Sequence, residues 1–238
     1  MRKKFSKIKH LFFDLDHTLW DFEANARICL EEIYHTHQLA ELGVPNHELF
    51  ADTFSEVNQT FWYLLDTKQI THETLRRERF RSTLSDLGFS IEYPLSEAMN
   101  AQFLELLPEQ TSLMPHAVDT LEMLSRKYQL HIISNGYEHI QRKKLEKSGL
   151  LPYFKAIVTN DIANAHKPSP AIFSFALQMT GSSHQQSMMI GDNWTADIQG
   201  AIQSNIFAVH FDPMQESKVT SEYAVINSLH HLPSLLDS

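Results

Sequence analysis

Hydrophobic positions along this chain recur with two different periods, and the change of period divides it. The first run, His10 to Phe13, is short and aromatic, with no room for three helical turns, and predicts a buried strand. It ends abruptly in two carboxylates one residue apart, Asp14 and Asp16. From residue 21 to 108 the spacing is helical. Ala26, Cys29, Leu30 and Ile33 share one face, and Phe50, Phe54, Val57, Phe61 and Leu64 alternate steps of four and three. Phe80, Leu84 and Leu87 mark a third helix closed by Gly88, and Leu95, Met99, Phe103 and Leu106 a fourth. Asn46 and Thr71 are placed to N-cap the second and third helices. The Phe54 to Phe61 stripe predicts a bundle seam, and Cys29 a small core hydrophobe.

After Pro108 strands and helices alternate. Pro115 suits the first turn of a helix carrying Ala117, Val118, Leu121 and Leu124. Strands are predicted at Leu130 to Ile133, Ala156 to Val158, Met188 to Ile190 and Ile206 to Val209. Helices are predicted from Tyr137 to Ser148, stopping at Gly149, from Pro168 through Met179, and near Thr195 to Ile202. Such alternation implies an α/β fold, a Rossmann-like, doubly wound parallel sheet covered on both faces. The first strand must join that sheet. The chain therefore reads as a core of residues 1–20 and 109–238, interrupted by an inserted α-helical bundle at 21–108.

Composition narrows the function classes. With 238 residues, 42% of them hydrophobic, the chain can bury a sizeable core. A net charge of −9 argues against a nucleic-acid polymer or an anionic membrane as partner. Cys29 is the only cysteine, so neither a disulfide framework nor a thiolate metal cluster is available. Fourteen histidines show no ligand spacing with acidic partners, and His35, His37, His230 and His231 read as solvated. The basic start Met-Arg-Lys-Lys is not followed by an apolar segment, and no 18-residue apolar run exists. A soluble, cytoplasmic monomer or homodimer is expected.

In a parallel sheet all carboxyl ends lie on one edge, where ligands bind. Four ends carry useful polar residues: Asp14, Asp16 and Thr18 after the first strand; Ser134, Asn135 and Gly136 after the second; Lys167-Pro168 beyond the third; and Gly191-Asp192-Asn193, continuing to Asp197, after the fourth. Charges inside a buried strand are costly, so Asp14 and Asp16 belong just beyond it. Close carboxylates favour a bound cation or a shared proton, and one could attack while the other donates a proton.

Asp-x-Asp-x-Thr on a first strand, Ser on a second, Lys-Pro, and then Gly-Asp-x-x-x-x-Asp resembles the four motifs of the haloacid dehalogenase-like phosphohydrolase superfamily, in order and across the whole chain. The helical insert is similar to that superfamily's C1-type cap. The resemblance implies an Mg²⁺-dependent phosphatase acting on a small phosphorylated metabolite through an aspartyl-phosphate; Mn²⁺ suits the same ligands. Asp14 is then the nucleophile, and Asp16 protonates the leaving oxygen before deprotonating water. Asp14, the Asp16 backbone carbonyl and Asp192 would hold the ion. Ser134 and Lys167 would bind the phosphate, Asp197 would orient Lys167 or a metal-bound water, and Thr18 would fix the loop. Gly191 belongs to the fourth motif. Ser134 could also cap the following helix, and Asn135 is either a phosphate contact or a turn residue. His17 departs from the pattern, which commonly has glycine there, and implies a loop that tolerates Cβ.

The motifs leave the leaving group open. The cap, hinged at Trp20 to Phe22 and at Pro108 to Thr111, is expected to select it by closing over the carboxyl edge. Thr18-Leu-Trp-Asp-Phe, with Leu75-Arg-Arg-Glu-Arg79-Phe, looks like the pyrimidine 5′-nucleotidase branch. Trp20 and Phe22 then either stack on a base or pack the hinge, and Arg76 and Arg79 either reach the sugar or base or face solvent. Alternatives are a sugar-phosphate or phosphoglycolate phosphatase, a β-phosphoglucomutase-like mutase, and an inactive ligand-binding scaffold. A dehalogenase fits poorly, because those relatives lack the acid at the Asp16 position.

Overall fold

The computed structural model describes residues 5–215 and 223–237. The basic start at residues 1–4 lies outside them. Contacts divide the chain into two compact units, one made of Met1–Asp21 and Thr111–Ser238, the other of Phe22–Gln110.

In chain order the elements are β1 (His10–Phe13), then α1 (Phe22–Thr36), α2 (His47–Asp66), α3 (His72–Asp86) and α4 (Tyr93–Leu106). There follow α5 (Ala117–Ser125), β2 (Gln129–Ser134), α6 (Glu138–Lys147), β3 (Phe154–Thr159), α7 (Asn160–Ala163) and α8 (Pro170–Thr180). The chain continues through β4 (Ser187–Gly191), a π-helical turn at Trp194–Gln199, α9 (Gly200–Gln203), β5 (Phe207–Phe211), β6 (Ala224–Ile226) and α10 (Leu232–Leu236).

The six strands form one parallel sheet in the order β3-β2-β1-β4-β5-β6. β1 lies inside the sheet because all four of its residues are buried and can face packed layers on both sides. Alternation turns Phe12 one way, into a cluster with Ile172, Phe173 and Ala176 of α8 and Ala201 of α9. From β1 the chain winds outward through β2 and β3 on one side, and from β4 through β5 and β6 on the other. Winding therefore reverses between β1 and β4, the place where open α/β sheets form a ligand crevice.

Three expectations for this unit need correction. Pro168 does not open a helix: the Lys167-Pro168 peptide is cis, and α8 begins at Pro170, capped by Ser169, whose Oγ accepts from the Ala171 N–H. Pro115 precedes α5, whose N-cap His116 has φ +67°, and Val118 points outward. The helix expected near Thr195 to Ile202 is a π-helical turn followed by one α turn. A sixth strand, β6, was not predicted, since three residues are too short to show a period.

The helical unit is built as its spacing predicts. Ala26, Cys29, Leu30 and Ile33 are buried on α1, and Phe50, Phe54 and Val57 on α2. The α2 stripe then runs to Leu65, leaving Phe61 and Leu64 half-buried. Asn46 Oδ1 accepts from the Leu49 N–H (2.8 Å) and Thr71 Oγ1 from the Thr74 N–H (3.1 Å), satisfying donors that each helix start leaves unpaired. Phe54, Phe80 and Phe103 interlock, with centroids of 4.9 Å and 5.1 Å from the Phe54 ring, and each buried ring contributes about 2–3 kcal/mol. Arg79 is buried among them. Its Nε donates to Asn100 Oδ1 (3.0 Å), its Nη1 to Asn58 Oδ1 (3.3 Å), and its guanidinium lies 4.6 Å from the Phe103 centroid. Among the described residues Nη2 has no hydrogen-bond partner.

Candidate active site

β1 delivers Asp14 to the crevice with its backbone already fixed, since the Asp14 N–H donates to the Ile190 carbonyl of β4 (2.9 Å). Lys167 Nζ lies 2.5 Å from Asp14 Oδ1 and 2.6 Å from Asp197 Oδ1. The lysine is buried, and a short polar frame holds it. Its N–H donates to Asn135 Oδ1 (2.7 Å), while Asn135 Nδ2 donates to its carbonyl (3.0 Å). Asn135 therefore uses its side-chain amide to seat Lys167.

Asp197 rises from the π-helical turn, and its Oδ2 accepts from the Asn193 N–H (3.0 Å). Gly191 explains why it fits. A Cβ at Gly191 would stand 2.2 Å from Asp197 Oδ2, so the end of β4 must lack a side chain. Asp192 is tied to the first loop: Thr18 Oγ1 donates to Asp192 Oδ1 (2.8 Å) and accepts from the Asp192 N–H (3.1 Å). Thr18 thus joins the loops after β1 and β4.

Asp14, Asp192 and Asp197 offer oxygens that all lie within 4.8 Å of one another, with Lys167 the cation against them. One ammonium among three carboxylates, two buried and one half-buried, leaves a deficit of positive charge. Burial pushes Asp14 up to about 7, against the pull of Lys167, and the charge of Asp197 adds to the rise. Burial also raises Asp192 and Asp197 to about 6. Burial opposes the charge on Lys167 too, but Asp14 and Asp197 outweigh it and hold the ammonium protonated. A hard divalent cation fits this cluster, because all its donors are oxygens and its carboxylates lack counter-charge. Both oxygens of Asp197 are engaged, whereas Asp14 Oδ2 and Asp192 Oδ2 accept no hydrogen bond among the described residues.

Asp16 has a separate environment. Its Oδ1 meets Lys144 Nζ at 2.6 Å and its Oδ2 accepts from Gln141 Nε2 at 2.8 Å. Burial would raise this carboxyl, but Lys144 and the hydrogen bond from Gln141 bring it below the usual carboxylate range. Ser134, at the end of β2, accepts from Gln141 Nε2 (2.6 Å) and from the Gly136 N–H (3.2 Å). His17 has φ +63°, where a Cβ costs on the order of 1 kcal/mol and glycine would be relaxed. The loop accepts the side chain by bearing that strain.

Positions considered for specificity are placed differently. Trp20 is fully buried with Lys144 Nζ 4.3 Å from its ring centroid. Phe22 is the buried first residue of α1, Arg76 is half-buried on α3, and Arg79 lies in the helical interior. Sequence reasoning missed Gln141 and Lys144. The available signal was that both share a face of α6 with buried Leu145.

The sequence matches the family described as haloacid dehalogenase-like hydrolase over residues 8–205. The chain belongs to that family and is an enzyme, a phosphatase of the haloacid dehalogenase-like hydrolases. It is similar to the pyrimidine 5′-nucleotidase PynA of Streptococcus pneumoniae, with 33% identity across 86% of this chain and 84% of that protein. It is also similar to the pyrimidine 5′-nucleotidase YjjG of Escherichia coli, with 26% identity across 95% of this chain and 96% of that protein. Among solved structures it resembles the magnesium-bound HAD-hydrolase YfnB from Bacillus subtilis, with a TM-score of 0.85, 25% identity, and coverage of 97% of this chain and 99% of that one. Among the described residues no helix is long and apolar enough to cross a membrane.

Proposed function

We propose that this phosphatase is an Mg²⁺-dependent hydrolase of nucleoside 5′-monophosphates, pyrimidine nucleotides foremost, working through an aspartyl-phosphate on Asp14. The carrying observation is the buried Asp14 carboxylate with one oxygen on Lys167 and the other uncommitted, in a cluster short of positive charge. Asp14 Oδ2 attacks phosphorus, and the bond to the leaving oxygen breaks with its electron pair going to that oxygen. Asp16, protonated once the negative charge of the bound phosphate stands beside it, delivers a proton there. It then takes a proton from water as the water oxygen attacks phosphorus and the bond to Asp14 breaks. The Ser134 hydroxyl and Lys167 ammonium hold equatorial phosphate oxygens, and Asp197 and Asn135 keep Lys167 in place. Asp14, Asp192 and the Asp16 carbonyl would hold Mg²⁺, which when bound offsets the repulsion between phosphate and the attacking carboxylate.

The nucleotide assignment draws support from PynA and YjjG, two relatives named for that activity. Phosphate release from UMP, dUMP, dTMP, purine nucleotides, sugar phosphates and phosphoglycolate, with Mg²⁺ and again with EDTA, tests it, using Asp14→Asn as the inactive control. Metal-dependent release with the highest kcat/KM on pyrimidine nucleotides is expected. A preference for sugar phosphates would keep the mechanism and remove the nucleotide assignment, and an active Asp14→Asn would remove the nucleophile.

A further inference from the structure

α6 has the composition of a solvated helix, Glu-His-Ile-Gln-Arg-Lys-Lys-Leu-Glu-Lys, yet it buries a glutamine and a lysine. Gln141 is 1% exposed and Lys144 3%. Burying both costs free energy unless their polar atoms are matched; Gln141 Oε1 has no hydrogen-bond partner among the described residues, so the reading rests on what Gln141 Nε2 and the Lys144 ammonium meet.

The Gln141 amide has two hydrogens, and both are engaged: Nε2 donates to Asp16 Oδ2 (2.8 Å) and to Ser134 Oγ (2.6 Å). The acceptors fix the orientation of the amide, because an ionised carboxylate can only accept. Ser134 Oγ accepts a second hydrogen bond from the Gly136 N–H (3.2 Å), so both of its lone pairs are taken and its own proton must point to another acceptor. Lys144 Nζ holds the other Asp16 oxygen at 2.6 Å and lies 4.3 Å from the Trp20 ring centroid, which fixes the ammonium from a second side. Gly136 is cut to this arrangement, since a Cβ there would stand 2.6 Å from Gln141 Cδ. Each Asp16 oxygen keeps a second lone-pair direction, so neither donor prevents a leaving oxygen from meeting the carboxyl group.

We propose that Gln141 and Lys144 are positioning residues of this enzyme: together they aim the Asp16 carboxyl group at the leaving oxygen, and Gln141, with the Gly136 N–H, makes the Ser134 hydroxyl an obligate donor to the phosphate. This rests on the reading of Asp16 as the acid and base and of Ser134 as a phosphate ligand. Neither residue touches the reacting atoms, and their effect passes through Asp16 and Ser134.

The test compares UMP, whose alkoxide leaving group needs a proton, with p-nitrophenyl phosphate, whose phenolate does not. Lys144→Met and Gln141→Leu should each lower the single-turnover rate of uridine release from UMP by about tenfold or more, in line with the worth of a positioned acid, and leave the single-turnover release of p-nitrophenolate, which precedes the water step, within about threefold. Lys144→Arg, which keeps a donor to Asp16, should restore most of the UMP rate. Inorganic phosphate as a competitive inhibitor separates the two halves. Its Ki should rise several-fold in Gln141→Leu and stay unchanged in Lys144→Met, because Gln141 alone contacts Ser134. A variant that merely loosens the fold would lose both substrates alike, and single-turnover release of p-nitrophenolate serves as the folding control. Gln141→Leu removes no charge from the interior and carries the same test should Lys144→Met not fold.

Asp16→Asn is measured alongside. If its single-turnover release of uridine and of p-nitrophenolate falls equally, the reading of Asp16 as the acid is overturned and this proposal with it. If it loses UMP selectively while Lys144→Met and Gln141→Leu do not, the positioning proposal alone is overturned. A UMP rate that rises in Lys144→Met would show that the lysine restrains Asp16, and would also overturn it. An unchanged phosphate Ki in Gln141→Leu would overturn the Ser134 half.

Discussion

Lowering the pH should weaken the fold through His131, by an amount the structure allows to be worked out. His131 stands on β2 with its ring against Phe12 (centroids 4.8 Å) and His10 (5.4 Å), both on the neighbouring strand β1, and its Nε2 lies 3.1 Å from His10 Nδ1. It is 1% exposed, and its Nδ1 has no hydrogen-bond partner among the described residues. That arrangement suits a neutral ring donating through Nε2, since an unpaired lone pair is cheaper to bury than an unpaired N–H. Burial, with the neighbouring His10 adding to it, pushes His131 from 6.5 down to about 4. A base depressed by folding is protonated first in the unfolded chain, so its contribution is complete above pH 6.5 and is lost as pH falls toward 4. At pH 5 the loss is about 2 kcal/mol, a sizeable share of the total stability of an ordinary domain. Asp14, Asp192 and Asp197 act with the opposite sign, because acids raised by folding take up protons first in the native state. The wild-type curve therefore mixes the two, and His131→Phe isolates the histidine. Urea unfolding of both proteins in EDTA at pH 7.5 and pH 5 should show wild type losing about 2 kcal/mol relative to the variant. A difference that stays constant within about 0.5 kcal/mol would refute the buried neutral imidazole.

Two further outcomes follow from single contacts. Gly191→Ala must displace Asp197, whose Oδ2 would lie 2.2 Å from the new carbon, and so unseat Lys167. It should cost about 1–3 kcal/mol by thermal unfolding and lower kcat more than KM, and an unaltered kcat would show that Asp197 does not govern Lys167. Arg79→Met leaves Asn58 Oδ1 and Asn100 Oδ1 without their donors, and should destabilise the protein by about 1–3 kcal/mol per unpaired carbonyl. A variant that melts like wild type but loses kcat/KM on nucleotides would return Arg79 to a substrate-contacting role.

What could be read in advance and what could not divide along physical lines. Asp14, Thr18, Ser134, Lys167, Asp192 and Asp197 were legible because each sits directly on, or a few residues beyond, a strand end, and a parallel sheet gathers such ends automatically. The helical insert was legible because bundle cores repeat, and its caps because Asn46 and Thr71 have side chains suited to one local job. Gln141 and Lys144 were illegible for the converse reason: they lie on a helix whose charge masks its inner face, and their partners are 125 and 128 residues away. Arg79 misled similarly, since a guanidinium held by two amides and three phenyl rings has no one-dimensional signature. Asn135 lay between two readings, and its amide seats Lys167. Pro168 broke the rule that proline opens a helix, which Pro170 then obeyed.

The interior place of β1 bears on how the polypeptide acquires its shape. β1 pairs with β2 and β4, so its first partner begins about 115 residues downstream and its second later still. Until β4 has been synthesised, Asp14 lacks the Ile190 carbonyl that fixes its backbone, and no shortened nascent chain can assemble the crevice. Were the intervening segment slack, closing that span would be slow and costly, as for any contact between distant parts of a chain. Packing 22–110 on itself first leaves only about 25 loose residues between β1 and β2, and lowers the closure cost by about 1 kcal/mol. The insertion then acts as a splice that shortens the search for the first strand, separately from any part it takes in choosing a substrate.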